Sequence, residues 1–200
     1  MRMTIPYEAS GRTRQKARTR GALVDAARDL LAAGTSPTVA EAADRAGIAR
    51  ATAYRYFPNQ RELLVATYPE IAAPSLLEAP ADRVDPGERL EEVARSLTRQ
   101  MVEHEPELRA MLRLSLEPGA SGTRDLPFRK GRRITWVADA LEPLRDEMPE
   151  PEFERLVHAI AAAVGIEALV WLTDIAGLSR EDAVEVMRWS ANAMLRAALA

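Results

Sequence analysis

The side chains that could do covalent or metal chemistry are few in this chain, and their spacing excludes most of it. There is no cysteine, which removes thiol nucleophiles, disulfides and thiolate metal sites. His104 and His158 stand alone, neither with a second ligand one helical turn away, so a zinc-binding helix is absent. The run Gly119-Ala120-Ser121-Gly122 lacks the glycine pattern of a nucleophile elbow, and no glycine loop could cradle a phosphate. Adjacent acids such as Glu91 and Glu92 fall in charged helix faces, where solvation is the better account. These absences predict a protein that is not an enzyme and needs no metal and no cofactor.

What remains is hydrogen-bonding chemistry, concentrated in Arg50-Ala51-Thr52-Ala53-Tyr54-Arg55-Tyr56-Phe57. An arginine fork matches guanine O6 and N7, while threonine and tyrosine hydroxyls suit phosphates and base edges. Ala49, Ala51 and Ala53 are too small to build a core but allow close approach to a backbone. The elements that must position this helix flank it directly. Thr38 can cap a helix in which Val39, Ala42, Ala43 and Ala46 form one apolar face. Gly47 then permits a tight turn, Ile48 plugs the space between the helices, and Pro58 ends the second one. Two short helices joined by such a turn make a helix-turn-helix, whose second helix enters a DNA major groove. A plain helical hairpin would explain the periodicity but not so polar a second helix.

The run Gly47-Ile48, then Thr52 to Gln60, with Leu63-Leu64 after it, resembles the DNA-binding domain of the TetR (tetracycline-repressor-like) transcriptional regulators. The motif covers about the first third of the chain. Gln60 stands where the family usually has lysine, so a charged phosphate contact becomes a neutral one. The resemblance implies DNA contacts from Thr38, Val39, Arg50, Ala51, Thr52, Tyr54, Arg55, Tyr56 and Gln60. It also implies a palindromic operator, a homodimer built from two C-terminal helices of each chain, and release by a small-molecule effector.

Charge agrees with this polarity. Residues 1–61 carry eleven cations against five carboxylates, a balance of +6 within a chain whose formal net charge is −3. A basic end can meet phosphates while an acidic body stays off them. Residues 1–11 show no periodicity and predict a flexible arm. Arg12, Arg14, Lys16, Arg18 and Arg20 lead into a helix expected over 20–33; Arg12 fits a solvated tag as well as a DNA contact, while the other four, beside a DNA-reading motif, are better explained as tracking the phosphate backbone. No apolar run reaches the length of a membrane span and no signal-peptide pattern opens the chain, which predicts a cytoplasmic protein.

The expected fold is all-α: a helix-turn-helix domain over 1–60 and a helical regulatory and dimerisation domain over 61–200. A fourth helix starts near Asn59, with a kink expected at Pro69, and a loop spans 72–86. Further helices are predicted over 88–105, 107–116 and 129–146, the last with a kink at Pro143. A surface loop covers 118–127. Two long helices, 152–176 and 180–199, are apolar on more than one side and predict the dimer interface, with Ala161, Gly165 and Ala168 allowing close packing. By the resemblance, Met101, His104, Met111, Leu114, Phe128, Trp136, His158 and Trp171 enclose an effector pocket, with Glu167 its most informative polar residue. Ordinary core packing is the competing account of each. The alternative for the whole domain is one that only dimerises or binds a protein partner, with no small-molecule ligand.

Overall fold

The computed structural model describes residues 7–68, 75–77, 85–117 and 131–200, and of residues 7–13 the backbone alone. Phe128, Pro69, Ile71, Arg129, Lys130, the loop expected over 118–127 and the side chain of Arg12 therefore lie outside the described residues. Every regular element among the described residues is a helix, with no strand among them.

The first helix, α1 (Tyr7–Ala32), is longer than the sequence suggests. Residues 7–11, expected as a flexible arm, are helical. Glu8 and Ala9 favour helix by intrinsic propensity, although Ser10 and Gly11 do not and the five present no apolar stripe. Gly34, at φ 79°, turns the chain toward α2 (Val39–Ala46). Thr38 caps α2 and Gly47 closes it at φ 65°, where Ile48 N–H reaches back to the Ala43 carbonyl at 2.9 Å. The second motif helix, α3 (Arg50–Tyr56), ends at Phe57, and α4 (Gln60–Thr67) is capped by the Asn59 side chain accepting from Glu62 N–H at 2.9 Å. Tyr68, with ψ 129°, takes the extended conformation imposed on a residue before proline, so α4 ends there instead of continuing to a kink. Leu23, Ala27, Val39, Ala42, Ala53, Phe57 and Leu63 form the core of this bundle. Each fully buried leucine such as Leu23 or Leu63 contributes about 1.5–3 kcal/mol.

Helices α5 (Pro86–Glu103), α7 (Arg132–Ala140), α8 (Glu150–Ala163) and α10 (Arg180–Ala198) enclose the main core of the second domain. Between α5 and α7 lies α6 (Glu105–Leu116), which packs against α1 and α4. Leu31 and Leu64 of the N-terminal bundle meet Ala110, Met111 and Leu114 of α6 there. The buried Arg89 donates to the carbonyls of Ala140 at 2.9 Å and Asp139 at 2.5 Å, satisfying acceptors that the end of α7 leaves open.

Two helix expectations need correction. The helix expected to run to residue 146 stops at Ala140, and Pro143 sits in a short 3₁₀ turn, Glu142–Leu144. The single helix expected over 152–176 is broken at Val164-Gly165. There α8 and α9 (Ile166–Val170, continued by a π-turn over Trp171–Ile175) meet at 42°. Gly165 is not a close-packing residue within a helix; it is extended (φ −104°, ψ 164°) and begins the second segment. No single helix among the described residues is long and apolar enough to cross a membrane.

Candidate nucleic-acid interface and internal cavity

On the helix-turn-helix, Arg50, Ala51, Tyr54 and Arg55 are exposed, and Thr52 and Tyr56 partly so. Tyr54 is 47% exposed, unusual for so large a ring and suited to a partner surface. Val39 does not belong with them. It is 2% exposed and packs in the core, because its position just after the cap turns it inward. Arg20 lies over the Phe57 ring, 5.3 Å from its centroid, and so sets α1 beside the end of α3.

Several expected contact groups are held within the protein. The Thr38 amide and hydroxyl both donate to Glu41 Oε2, at 2.7 and 2.8 Å, while Glu41 N–H donates to the Thr38 hydroxyl at 3.2 Å. This reciprocal cap was legible as Thr-x-x-Glu, although the sequence reading used only its first member. The bonds from Thr38, chiefly its backbone amide, hold the Glu41 carboxyl below its ordinary pKa. Arg50 donates to both carboxylate oxygens of Asp44, which lowers the Asp44 pKa and raises that of Arg50. Gln60 Nε2 points toward the loop before α2, donating to the Pro37 carbonyl at 3.1 Å and the Ser36 hydroxyl at 3.3 Å. Its remaining Oε1 is an acceptor, which a phosphate would repel; the neutral phosphate contact expected of this side chain is not poised here. Ser36 also accepts from Arg113 of α6 at 2.6 Å, tying the second domain to the segment that leads into α2.

The second domain contains a cavity of about 370 Å³. Of the expected effector residues, Met101, Met111, Trp136 and Glu167 line it, together with Leu97, Leu108, Leu112 and Ile166. Sequence reasoning missed Gln100, Arg132 and Arg133, which share the lining. Gln100 Oε1 is buried with no hydrogen-bond partner among the described residues. Arg133 Nη1 meets Glu167 Oε2 at 3.1 Å across the Gly165 backbone. A Cβ at residue 165 would stand 1.9 Å from that nitrogen, so this approach requires glycine. The other expected residues lie elsewhere. His104 sits at the α5–α6 junction and Leu114 in the contact with α1 and α4, while His158 lies on the exposed face of α8, opposite its buried Phe153, Leu156, Val157 and Ile160, and Trp171 is exposed on the π-turn.

An ion network fastens α6 to the C-terminal helices. Glu105 accepts from Arg109 at 2.7 Å and Arg180 at 2.5 Å, and Arg109 also grips Asp174 at 2.6 and 2.7 Å. Burial pushes the Glu105 pKa up, but donation from Arg180 and Arg109 outweighs it and the net shift is downward.

A helix-turn-helix with an exposed polar second helix, joined to a helical domain around a cavity, defines a DNA-binding regulator. Residues 23–67 match the model of the bacterial regulatory proteins of the tetR family. That match identifies the helix-turn-helix region as a DNA-binding domain of the tetR type. The crystal structure of a TetR transcriptional regulator from Rhodococcus sp. RHA1 superposes with a TM-score of 0.55 at 21% identity. The match covers 89% of this chain and 96% of that one, and shows a shared fold. No curated protein matches the chain.

Proposed function

We propose that this regulator is a repressor, binding a palindromic operator as a homodimer and released when a small molecule occupies the cavity. The division of labour follows the two parts of the chain, with DNA contact over 1–60 and sensing and dimerisation over 61–200. The observation that carries the reading is the position of Met111. It lines the cavity and also packs against Leu31 and Leu64 at the contact with the DNA-binding bundle. A ligand pressing on Met111, Leu108 and Leu112 displaces α6, and α6 bears directly on α1 and α4. Such a ligand acts only by binding the DNA-incompetent conformation more tightly.

The cavity suits an apolar body carrying a few polar groups, with soft methionine and a flat tryptophan as walls. A domain that only dimerised would leave that volume and the unpaired Gln100 acceptor without a purpose. Dimerisation is supported by Trp171, Ile175, Val186 and Trp189, large apolar side chains exposed on the π-turn and α10. The apolar residues of α8, from Phe153 to Ala161, are occupied inside the monomer, so α8 offers this interface a polar outer face.

The test begins with DNA fragments retained by the protein from its own genome, followed by Met111→Trp, which fills the cavity from α6. The reading expects operator affinity to fall at least tenfold in this folded, ligand-free variant. Met111→Trp with unchanged affinity, and no effect from a broad panel of apolar compounds, would sink the ligand-release mechanism.

A further inference from the structure

Among the α1 side chains that the structure describes, from residue 14 onward, Leu23 is the first that is buried, while the helix itself starts at Tyr7. The N-terminal overhang of the helix backbone ahead of Leu23 is sixteen residues, about 24 Å at 1.5 Å per residue. On it Arg14, Lys16 and Arg18 are exposed and have no carboxylate partner among the described residues. Cations elsewhere in the bundle are engaged: Arg28 by Asp25, Arg45 by Asp29 and Arg50 by Asp44. Arg61 donates to the Leu114 carbonyl. Among the described residues, the cations of the DNA-binding domain without a carboxylate partner therefore sit mainly on this overhang, with Arg55 and Arg61 beyond it.

Helical geometry arranges that charge usefully. Arg14 and Arg18 lie one turn apart on one flank, and Lys16 and Arg20 one turn apart on nearly the opposite flank. Arg20 is seated on Phe57 at the end of α3, so the overhang continues from the recognition motif. A helix with cations on two flanks can face the two phosphate ribbons that border one groove.

We infer that the overhanging half of α1 is a second DNA-binding element. Arg14, Lys16 and Arg18 hold phosphates outside the stretch read by α3 and supply most of the salt-dependent part of the affinity. The inference rests on the DNA-binding role and adds to it where the charge acts. Recognition and anchoring are then carried by different helices: α3 sorts sequences, while α1 holds the duplex regardless of sequence.

The experiment compares the wild type with the Arg14→Gln/Lys16→Gln/Arg18→Gln variant on a random-sequence duplex at several salt concentrations. Each phosphate contact contributes about 0.9 to the slope of log affinity against log salt, so three lost contacts flatten it by about 2.7. Between 50 and 200 mM salt the wild type then loses about 40-fold more affinity than the variant. Hydroxyl-radical footprints on a genome-selected operator should lose protection at their outer edges only. The same helical content by circular dichroism establishes that the variant is folded. As a contrast, Arg45→Gln removes a cation already paired with Asp29 and should leave the slope unchanged. A triple variant with wild-type slope and footprint overturns the inference. Equal flattening by Arg45→Gln also overturns it, because net charge and not the overhang would then set the salt dependence. A wild type that binds neither duplex contradicts the DNA-binding role itself and is thereby told apart from failure of this inference.

Discussion

Arg50 Nε and Nη2 are bound by the two oxygens of the Asp44 carboxylate, at 3.1 and 2.5 Å. The arginine best placed to reach a guanine edge is thus occupied in the DNA-free protein. Both side chains are exposed, so the pair can exchange for contacts to DNA at modest cost. Asp44→Asn should raise affinity a few-fold on every duplex, because it frees the fork and removes a negative charge near phosphates. Arg50→Ala should instead flatten preference at one symmetric pair of operator positions. Binding across single-base operator variants separates the two. An Arg50→Ala protein that keeps its full sequence preference makes Arg50 a backbone clamp and not a reader.

The dimer prediction centres on Trp189, 66% exposed on the outer face of α10. Trp189→Glu should convert a micromolar dimer to a monomer in sedimentation while the thermal transition of the subunit survives. Ala191, two residues further, behaves oppositely. It is fully buried against α5 and α8 within the monomer, although it lies in the helix expected over 180–199 to form the interface. Ala191→Arg should destabilise the fold itself by several kcal/mol, since it buries a charge without a partner. A wild type that sediments as a monomer with DNA binding intact removes the symmetric interface.

Gly165 offers a way to perturb the cavity alone. Its backbone conformation is open to any residue, so alanine there meets no backbone strain. The added Cβ would strike the ends of the Arg133 and Glu167 side chains, which can swing away. Gly165→Ala should cost no more than about 1 kcal/mol of stability. It should also shift the effector concentration for half-release of operator by about tenfold. Loss of several kcal/mol in denaturant would show instead that the helix break itself demands glycine.

Acid stability should report the ion network. Bonds from Arg109, then from Thr173, pull the Asp174 pKa down to about 2 from its ordinary value of 3.8. A depressed carboxylate contributes stability that is complete above its unfolded pKa and lost as pH falls through the folded one. The wild type should therefore weaken between about pH 4 and pH 2. Asp174→Asn should begin less stable at neutral pH and show a shallower decline over that window. Parallel slopes in denaturant titrations at several pH values would mean that Asp174 does not carry this dependence.

The N-terminal motif was readable because its signals are local. Thr38, Gly47, Pro58 and Asn59 each act on the backbone within a few residues of themselves. The faces of α5 and α10 were readable from their apolar spacing. What escaped depends on chain distant in sequence. Asp44 reaches Arg50 only after the Gly47 turn folds one helix onto the other. Gln60 meets Ser36 across 24 residues, and Arg113 meets it across 77. The side chains that crowd Gly165 come in part from Arg133 of α7, distant in sequence, so glycine in an apolar helical run looked like a packing residue. Four of the nine expected pocket residues, Met101, Met111, Trp136 and Glu167, line the cavity; Phe128 lies outside the described residues, and the other four were placed by analogy and not by any local signal.

The placement of Met111 limits how such a regulator can diversify. Substitutions on the α5 and α7 walls, at Leu97, Gln100 or Trp136, can retune which molecule is preferred while leaving the α6 contact with the DNA-binding bundle alone. In the proposed release mechanism a change at Met111 alters detector and output together, so each gain in ligand fit there should also reset basal expression of the controlled gene. New inducer preferences should accumulate first on the walls remote from α6, and libraries aimed at making this protein a biosensor are best confined to them.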